Sequence, residues 1–317
     1  MEYVINLTTN FYKEGVIKVL VESGIYRKKK IKNAVRVLIF ILPALIPLGI
    51  FWLFPMAEAI FMSFTDWDYM SSTYNIVGLD NYRSIFSDSM FYDALKNTVV
   101  FTLGTLVPTI AGGLFTAVLL KEKLAGSAIY KAVIFSPWVT PTVVISIVWS
   151  WIFEPQYGLA NFILQLFNLP KSQWLQSSDT AMYAVILVTI WKGFGWAMIF
   201  YLTALERVPK ELYEAASVDG AGRFQKFKSI TLPLISPTTF FLTIITTIDS
   251  LKAYDQIQVL TQGGPSGSTR TILYLYYQMA FENFNIGEAT AIAVVLLVIV
   301  GCLSGIQFAA SKKWVHY

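Results

Sequence analysis

The sequence predicts an all-α polytopic membrane protein of six transmembrane helices with both termini in the cytoplasm, an N-in/C-in bundle. Three observations carry that prediction. Of 317 residues, 55% are apolar and 14% charged, with a mean hydropathy of +0.56, whereas an average soluble domain is about 25% charged. Such a chain cannot cover itself with polar surface, so lipid is its solvent. A single large soluble helical domain is excluded because its helices would alternate polar and apolar faces. Apolar runs at residues 37–61, 98–120, 132–153, 181–205, 234–260 and 289–310 each reach the roughly 20 residues that span a bilayer core. Lys and Arg are the third observation, because they concentrate on alternate connections.

With the N-terminus inside, the cytoplasmic segments hold Lys13, Lys18, Arg27, Lys28, Lys29, Lys30, Lys32 and Arg36, then Lys121, Lys123 and Lys131. Arg207, Lys210, Arg223, Lys226 and Lys228 follow, then Lys312 and Lys313. The outer connections hold only Arg83, Lys96, Lys171 and Arg270. The positive-inside rule therefore places both termini and the 206–233 connection in the cytoplasm. The net charge of +4 needs no nucleic acid to explain it.

Residues 1–36 form a cytoplasmic segment ahead of a transmembrane domain at 37–317. Within residues 1–26, Val4, Ile5, Phe11, Tyr12, Val16, Ile17, Leu20 and Val21 recur at roughly helical intervals. They read as an amphipathic helix on the membrane surface or as an unstructured tail. A basic run, an apolar run and Ala57-Glu58-Ala59 mimic a secretory signal. The apolar run exceeds a signal core and continues through Ile60, Phe61 and Met62, so it is an uncleaved first span. The second, third and fourth runs carry Pro108, Gly112, Gly113, Pro137, Pro141, Gly193 and Gly195. Lipid-embedded helices tolerate these when neighbours re-satisfy the backbone.

The outer connection after the first run is acidic and aromatic, with Asp66, Trp67, Asp68, Tyr69 and Tyr74. Its Gly78-Leu79-Asp80-Asn81-Tyr82 predicts a turn into a short helix capped by Asp80 or Asn81. Residues 154–180 predict a short interfacial helix around Phe162, Ile163, Leu166 and Phe167. Gly263-Gly264-Pro265 and Gly267 end the fifth run. No Gly-Lys-Ser/Thr loop occurs anywhere in the sequence, so ATP, if used, belongs to another subunit. Cys302 and His316 are each the only residue of their kind. They cannot supply a disulfide, a Cys/His metal cluster or a Cys–His nucleophile pair, and no metal site is expected.

The cytoplasmic connection at 206–233 is the most specific stretch. Pro209 suits a first helical turn, and Lys210 to Ala216 are mostly good helix formers. Gly220 and Gly222 allow turns, and Arg223 to Lys228 resume with Phe224 and Phe227 three residues apart. Helix, turn, short helix is the implied shape. Such a projection can seat in a groove of a cytoplasmic partner, with Glu214 pairing a basic group and Ala215 and Ala216 allowing close approach. It also reads as an amphipathic loop helix lying on the membrane.

Asp249, Lys252 and Asp255 fall in the fifth run, where ionisable groups are costly and face protein or water. On a continuous helix all three share a stripe of about 120°, so Lys252 can neutralise either acid. They read as a polar pathway lining with Tyr254, or as a structural ion-pair stitch. Trp191, Lys192 and Trp196 in the fourth run offer aromatic faces and a cation. That set suits sugar C–H faces and hydroxyls, and it equally suits packing or an interface belt.

Glu214-Ala215-Ala216, three residues, Gly220, nine residues, Ile230-x-Leu232-Pro233 resembles the loop signature of ATP-binding cassette importer permeases at every fixed position. Gly78-Leu79-Asp80-Asn81-Tyr82, Trp191-Lys192-Gly193-Phe194-Gly195-Trp196 and Leu260-Thr261-Gln262-Gly263-Gly264-Pro265 resemble the carbohydrate branch of that family. The resemblance implies a MetI-like bundle in a bacterial or archaeal cytoplasmic membrane. Its coupling helix would involve Glu214, Ala215, Ala216, Asp219, Gly220, Phe224 and Pro233. A second permease, as a heterodimer, two ATP-binding subunits and an extracytoplasmic solute-binding protein would complete the machine. This chain would bind no cofactor of its own, with ATP and Mg held by the ATPase subunits. The implied cargo is a carbohydrate, with glycerol phosphate or another polar solute as the alternative.

Two other classes fit less of the sequence. An ion-coupled secondary transporter built on Asp249, Lys252 and Asp255 leaves the 206–233 connection unexplained. Intramembrane aspartyl proteases place their acids on two spans, whereas these share one.

Overall fold

The computed structural model describes residues 36–121 and 126–315. The expected helix at residues 1–26, the basic run, Lys123 and His316 lie outside them. Among the described residues the regular structure is helical, and the one β-type pairing is an isolated antiparallel bridge between Thr65 and Ile76. The helices are α1 (Arg36–Met62), α2 (Asp80–Ser87), α3 (Ser89–Leu120), α4 (Ser127–Val139), α5 (Thr142–Ile152), α6 (Leu159–Leu166) and α7 (Ala181–Glu206). Then come α8 (Lys210–Val218), α9 (Arg223–Leu234), α10 (Ser236–Leu251), α11 (Asp255–Leu260), α12 (Ile272–Tyr277) and α13 (Ile286–Ser311).

The chain divides into two compact units, residues 1–59 and 60–317. In the described part of the first, Phe40, Phe51 and Trp52 are 73–79% exposed, a surface that calls for lipid or partner helices. In the second unit α7 is the most enclosed span, flanked by α3, α4 and α10. Its neighbours come close because glycine lets them. A Cβ on Gly113 of α3 would stand 2.5 Å from the Ala197 Cβ of α7. One on Gly195 of α7 would collide with the Ile134 carbonyl oxygen of α4. Small residues are how membrane helices gain van der Waals contact where lipid removes the hydrophobic drive. Several hydroxyls within the spans are satisfied locally: Thr98, Thr105, Thr116, Thr189, Thr243 and Thr247 each donate to the carbonyl four residues back.

Among the described residues four helices, α1, α3, α7 and α13, are long and apolar enough to cross a bilayer unbroken. The runs at 132–153 and 234–260, expected as straight helices, are bent. α4 and α5 meet at 100°, and α9 and α10 at 64°. At the first bend Pro141 has no N–H to continue the ladder, and it pushes Thr140 into extended backbone at ψ 135°. The fifth run breaks again after Leu251, and helix resumes only at Asp255. The wheel that placed Asp249, Lys252 and Asp255 on one continuous stripe therefore does not apply.

The connection after α1 is sewn to the start of α13. Neither Asp80 nor Asn81 caps α2, whose N-cap is Leu79. Asp80 instead pairs with Arg83 at 2.9 Å. The Asn81 amide donates to the Ser63 and Thr65 carbonyls at 2.9 and 2.8 Å, and Ser84 donates to Glu288 at 2.6 Å. The Ile286 and Gly287 amides donate to the Trp67 carbonyl at 3.0 and 3.1 Å. Asp66 accepts from the Asn75 backbone and side-chain amides at 2.6 and 2.9 Å. The expected short helix in the 154–180 connection is α6, with Phe162, Ile163, Leu166 and Phe167 on its exposed face.

Gly195→Val is expected to lower the detergent-solubilised melting temperature, reflecting about 1–3 kcal/mol of overpacking. Thermal unfolding followed by tryptophan fluorescence checks it. The Asn75 hydrogen bonds, side chain first and backbone second, hold the Asp66 carboxyl below its ordinary value of 3.8. A depressed folded value means the carboxylate's contribution is complete above the ordinary value and is lost as pH falls through the lowered one. Exchange protection of the Asn75 and Val77 amides should therefore persist through neutral and mildly acidic pH and fail only in stronger acid.

Candidate functional site

A cavity of ≈ 430 Å³ opens among α3, the α4–α5 bend, α7 and the α10–α11 break. Each helix contributes one face. On α7, Thr189, Lys192, Gly193 and Trp196 recur at i, i+3, i+4 and i+7. Thr105 and Thr109 on α3, and Thr246, Asp249 and Ser250 on α10, follow the same spacing. The bend supplies Trp138 and Thr142, and the α10–α11 break supplies Lys252, Tyr254 and Asp255. Trp138 and Trp196 stack at 5.1 Å with 23° between their planes. Thr105 and Ser250 are hydrogen-bonded to each other at 2.9 Å. Thr109, Thr142 and Thr246 have no partner among the described residues and present free hydroxyls to the space.

Six of the seven candidate pathway residues thus line one cavity: Lys192, Trp196, Asp249, Lys252, Tyr254 and Asp255. Trp191 does not. One residue before Lys192, it is rotated about 100° round the helix and lies with Tyr183, Leu187 and Phe194 on a different, apolar groove. There it packs edge-on against Trp149 at 5.5 Å. Lys252 makes no ion pair within 4.0 Å with Asp249 or Asp255, although its charge acts on Asp249 one helical turn away. Among the described residues the one ion pair within 4.0 Å is Arg83–Asp80. Lys192 is committed to protein. Its ammonium donates to the Pro137, Trp138 and Thr140 carbonyls at 3.2, 3.0 and 2.9 Å and lies 5.5 Å from the Trp138 ring centroid. Sequence reading missed Trp138 and the threonines, although the i, i+3, i+4 spacing of polar residues in each span signals them.

At the opposite end of α7 from Thr180, the 206–233 connection is helix, turn, short helix. α8 starts after Pro209, and Asp219 is its C-cap. Gly220 follows at φ +78°. The Ala221 amide donates to the Ala216 carbonyl at 2.8 Å, and the Gly220 amide to Ser217 at 3.1 Å. This paired closure needs a left-handed residue at Gly220. The start of α8 is held down: the Tyr213 hydroxyl bonds Thr231 at 2.8 Å, and the Lys121 ammonium lies 4.7 Å from the Tyr213 ring centroid. Its far end projects. Glu214, Ala215, Asp219 and Gly220 are exposed, Ala216 and Pro233 half-buried. Val218 is 89% and Phe224 79% exposed, whereas Phe227 is half-buried. The apolar tip is therefore Val218 with Phe224, and sequence reading missed Val218.

Residues 109–311 match the family model for the binding-protein-dependent transport system inner membrane component. The trehalose/maltose transport system permease protein MalF of Thermococcus litoralis is 32% identical over 282 residues, covering 88% of this chain and 94% of that protein. The sn-glycerol-3-phosphate transport system permease protein UgpA of Agrobacterium fabrum is 31% identical over 286 residues, covering 90% and 97%. In fold, the chain is similar to a bacterial ABC transporter involved in the import of the acidic polysaccharide alginate. The TM-score is 0.77 at 24% identity, covering 90% of this chain and 98% of that one. The chain belongs to the binding-protein-dependent transport system inner membrane component family, as a multi-pass permease subunit of an ATP-binding cassette importer in the cytoplasmic membrane.

Proposed function

We propose that this permease carries a carbohydrate through the ≈ 430 Å³ cavity, crossing the membrane six times with both termini inside. The two bent helix pairs count as one span each in this topology. The observation that carries the cargo is the lining: stacked indoles beside unpartnered hydroxyls and two carboxylates. Flat aromatic faces take sugar C–H faces, and the hydroxyls and carboxylates meet sugar hydroxyls. The relatives named above are permeases of a trehalose/maltose and of an sn-glycerol-3-phosphate transport system. Charge separates the two readings. A phosphate needs converging cations, but Lys252 stands in the lining against two carboxylates, Asp249 and Asp255, and Lys192 is already spent on three carbonyls.

In this reading α8 is the coupling helix. Its apolar tip, Val218 and Phe224, enters a groove of an ATP-hydrolysing partner, with Glu214 at the contact's edge. A second permease completes the pathway, two ATPase subunits drive it, and an extracytoplasmic binding protein delivers the sugar. Closure of the ATPases then rocks the spans between inward-open and outward-open forms.

Reconstituted with its ATPase subunits, second permease and binding protein, the complex should take up labelled oligosaccharide and not glycerol phosphate. The reverse selectivity overturns the cargo. Trp196→Ala should raise KM for the sugar about tenfold, equivalent to about 1.4 kcal/mol, with Trp196→Phe close to wild type. Val218→Asp and Phe224→Asp should each abolish solute-stimulated ATP hydrolysis. Gly220→Asn should keep activity where Gly220→Val loses it, because a branched residue in the left-handed region costs about 1–2 kcal/mol.

A further inference from the structure

Taking the cavity as the solute pathway, we propose that Lys192 is a positioning residue: it latches the bend of the third span and makes no hydrogen bond to the solute. Of the five carbonyls from Ser136 to Thr140, all but that of Val139 find a side-chain donor at the bend. α4 ends at Val139, so its last carbonyls lose the amides that would serve them four residues on. Pro141 has no N–H, which removes the donor that a continuing helix would bring to Pro137. The Ser136 carbonyl is taken by the Thr140 hydroxyl at 3.0 Å. Pro137, Trp138 and Thr140 remain, and all three converge on the Lys192 ammonium.

An ammonium has three N–H donors and no acceptor. Three carbonyls at 2.9–3.2 Å exhaust it, so a sugar hydroxyl finds no proton there unless the latch opens. The charge is also well placed, at the negative C-terminal end of α4. Two neighbours on the same face of α7 make the reach possible. Gly195, three residues on, lets the α4 backbone abut α7. Trp196, four residues on, stacks on Trp138 beside the bend. Trp138 and Thr142 stand on either side of the bend and both line the cavity. The latch thus sets the shape of one cavity wall.

The test uses the full complex in proteoliposomes, in a Cys302→Ser background, with spin labels at Val133 and Val148. Both are exposed and straddle the bend. Pulsed electron resonance should give one narrow distance for the parent. Lys192→Met should broaden or lengthen it, Lys192→Arg should keep it, and Lys192→Gln, with two donors, should fall between. Sugar uptake should lose about tenfold or more in kcat for Lys192→Met with KM within about twofold, the pattern of lost positioning rather than lost binding. An unchanged distance in Lys192→Met, or a raised KM with kcat and distance intact, overturns the proposal. Should the Met variant fail to assemble, the Gln variant decides by the same two readings. The distance needs no solute, so a complex that refuses every sugar counts against the cargo and leaves the latch standing or falling on its own.

Discussion

Hydrocarbon offers no water to a backbone amide or carbonyl, and the two helix interruptions beside the cavity are arranged around that constraint. The bend between α4 and α5 exposes carbonyls that the rest of the span hides. Lys192 donates to the Pro137, Trp138 and Thr140 carbonyls there, and the Thr140 hydroxyl donates to that of Ser136. The break after Leu251 follows the same logic at smaller scale, with the Lys252 amide returned to Ile248 and the Ala253 amide to Ser250. Both interruptions face the same cavity, as expected where irregular backbone inside a membrane lines a water-accessible space.

α7 joins the two halves of the function. One face, from Thr189 to Trp196, forms the cavity wall. Its far end runs through Glu206 into Pro209 and α8, which carries the exposed tip at Val218. The buried residues between, Met198, Tyr201 and Leu205, are fully enclosed among α3 and α10. A tightly packed core transmits displacement rather than absorbing it. Movement imposed on α8 is therefore passed along a rigid helix to the wall that carries Lys192 and Trp196.

Much of this was legible in the sequence. Apolar run length located the four unbroken helices and the two bent pairs, because the bilayer sets one length for a crossing segment. The Glu214 to Pro233 pattern located the helix, turn, short helix projection because its turn chemistry is local: only a residue tolerant of positive φ closes α8 at Gly220. What was not legible depended on tertiary placement. Asp249, Lys252 and Asp255 were assigned to one helical stripe because periodicity assumes unbroken helix, and no local signal in Leu251 to Tyr254 announces the break. Trp191 was grouped with Lys192 by adjacency, although helical rotation separates them. Asn81 looked like a cap from its position after Gly78, whereas its amide is drawn to the Ser63 and Thr65 carbonyls on a neighbouring segment.

The central claim is that the cavity beside Lys192 and Trp196 is the route of the solute. It is tested most directly by placing a single cysteine at Thr246, which lines the cavity, in a Cys302→Ser chain, and measuring its reaction with a membrane-impermeant thiol reagent applied from either side. The account predicts labelling from one side without nucleotide, from the other with a trapped ATP analogue, and protection by transported sugar in at least one state. A cysteine unreactive from both sides in both states, in a complex that still transports, would contradict it.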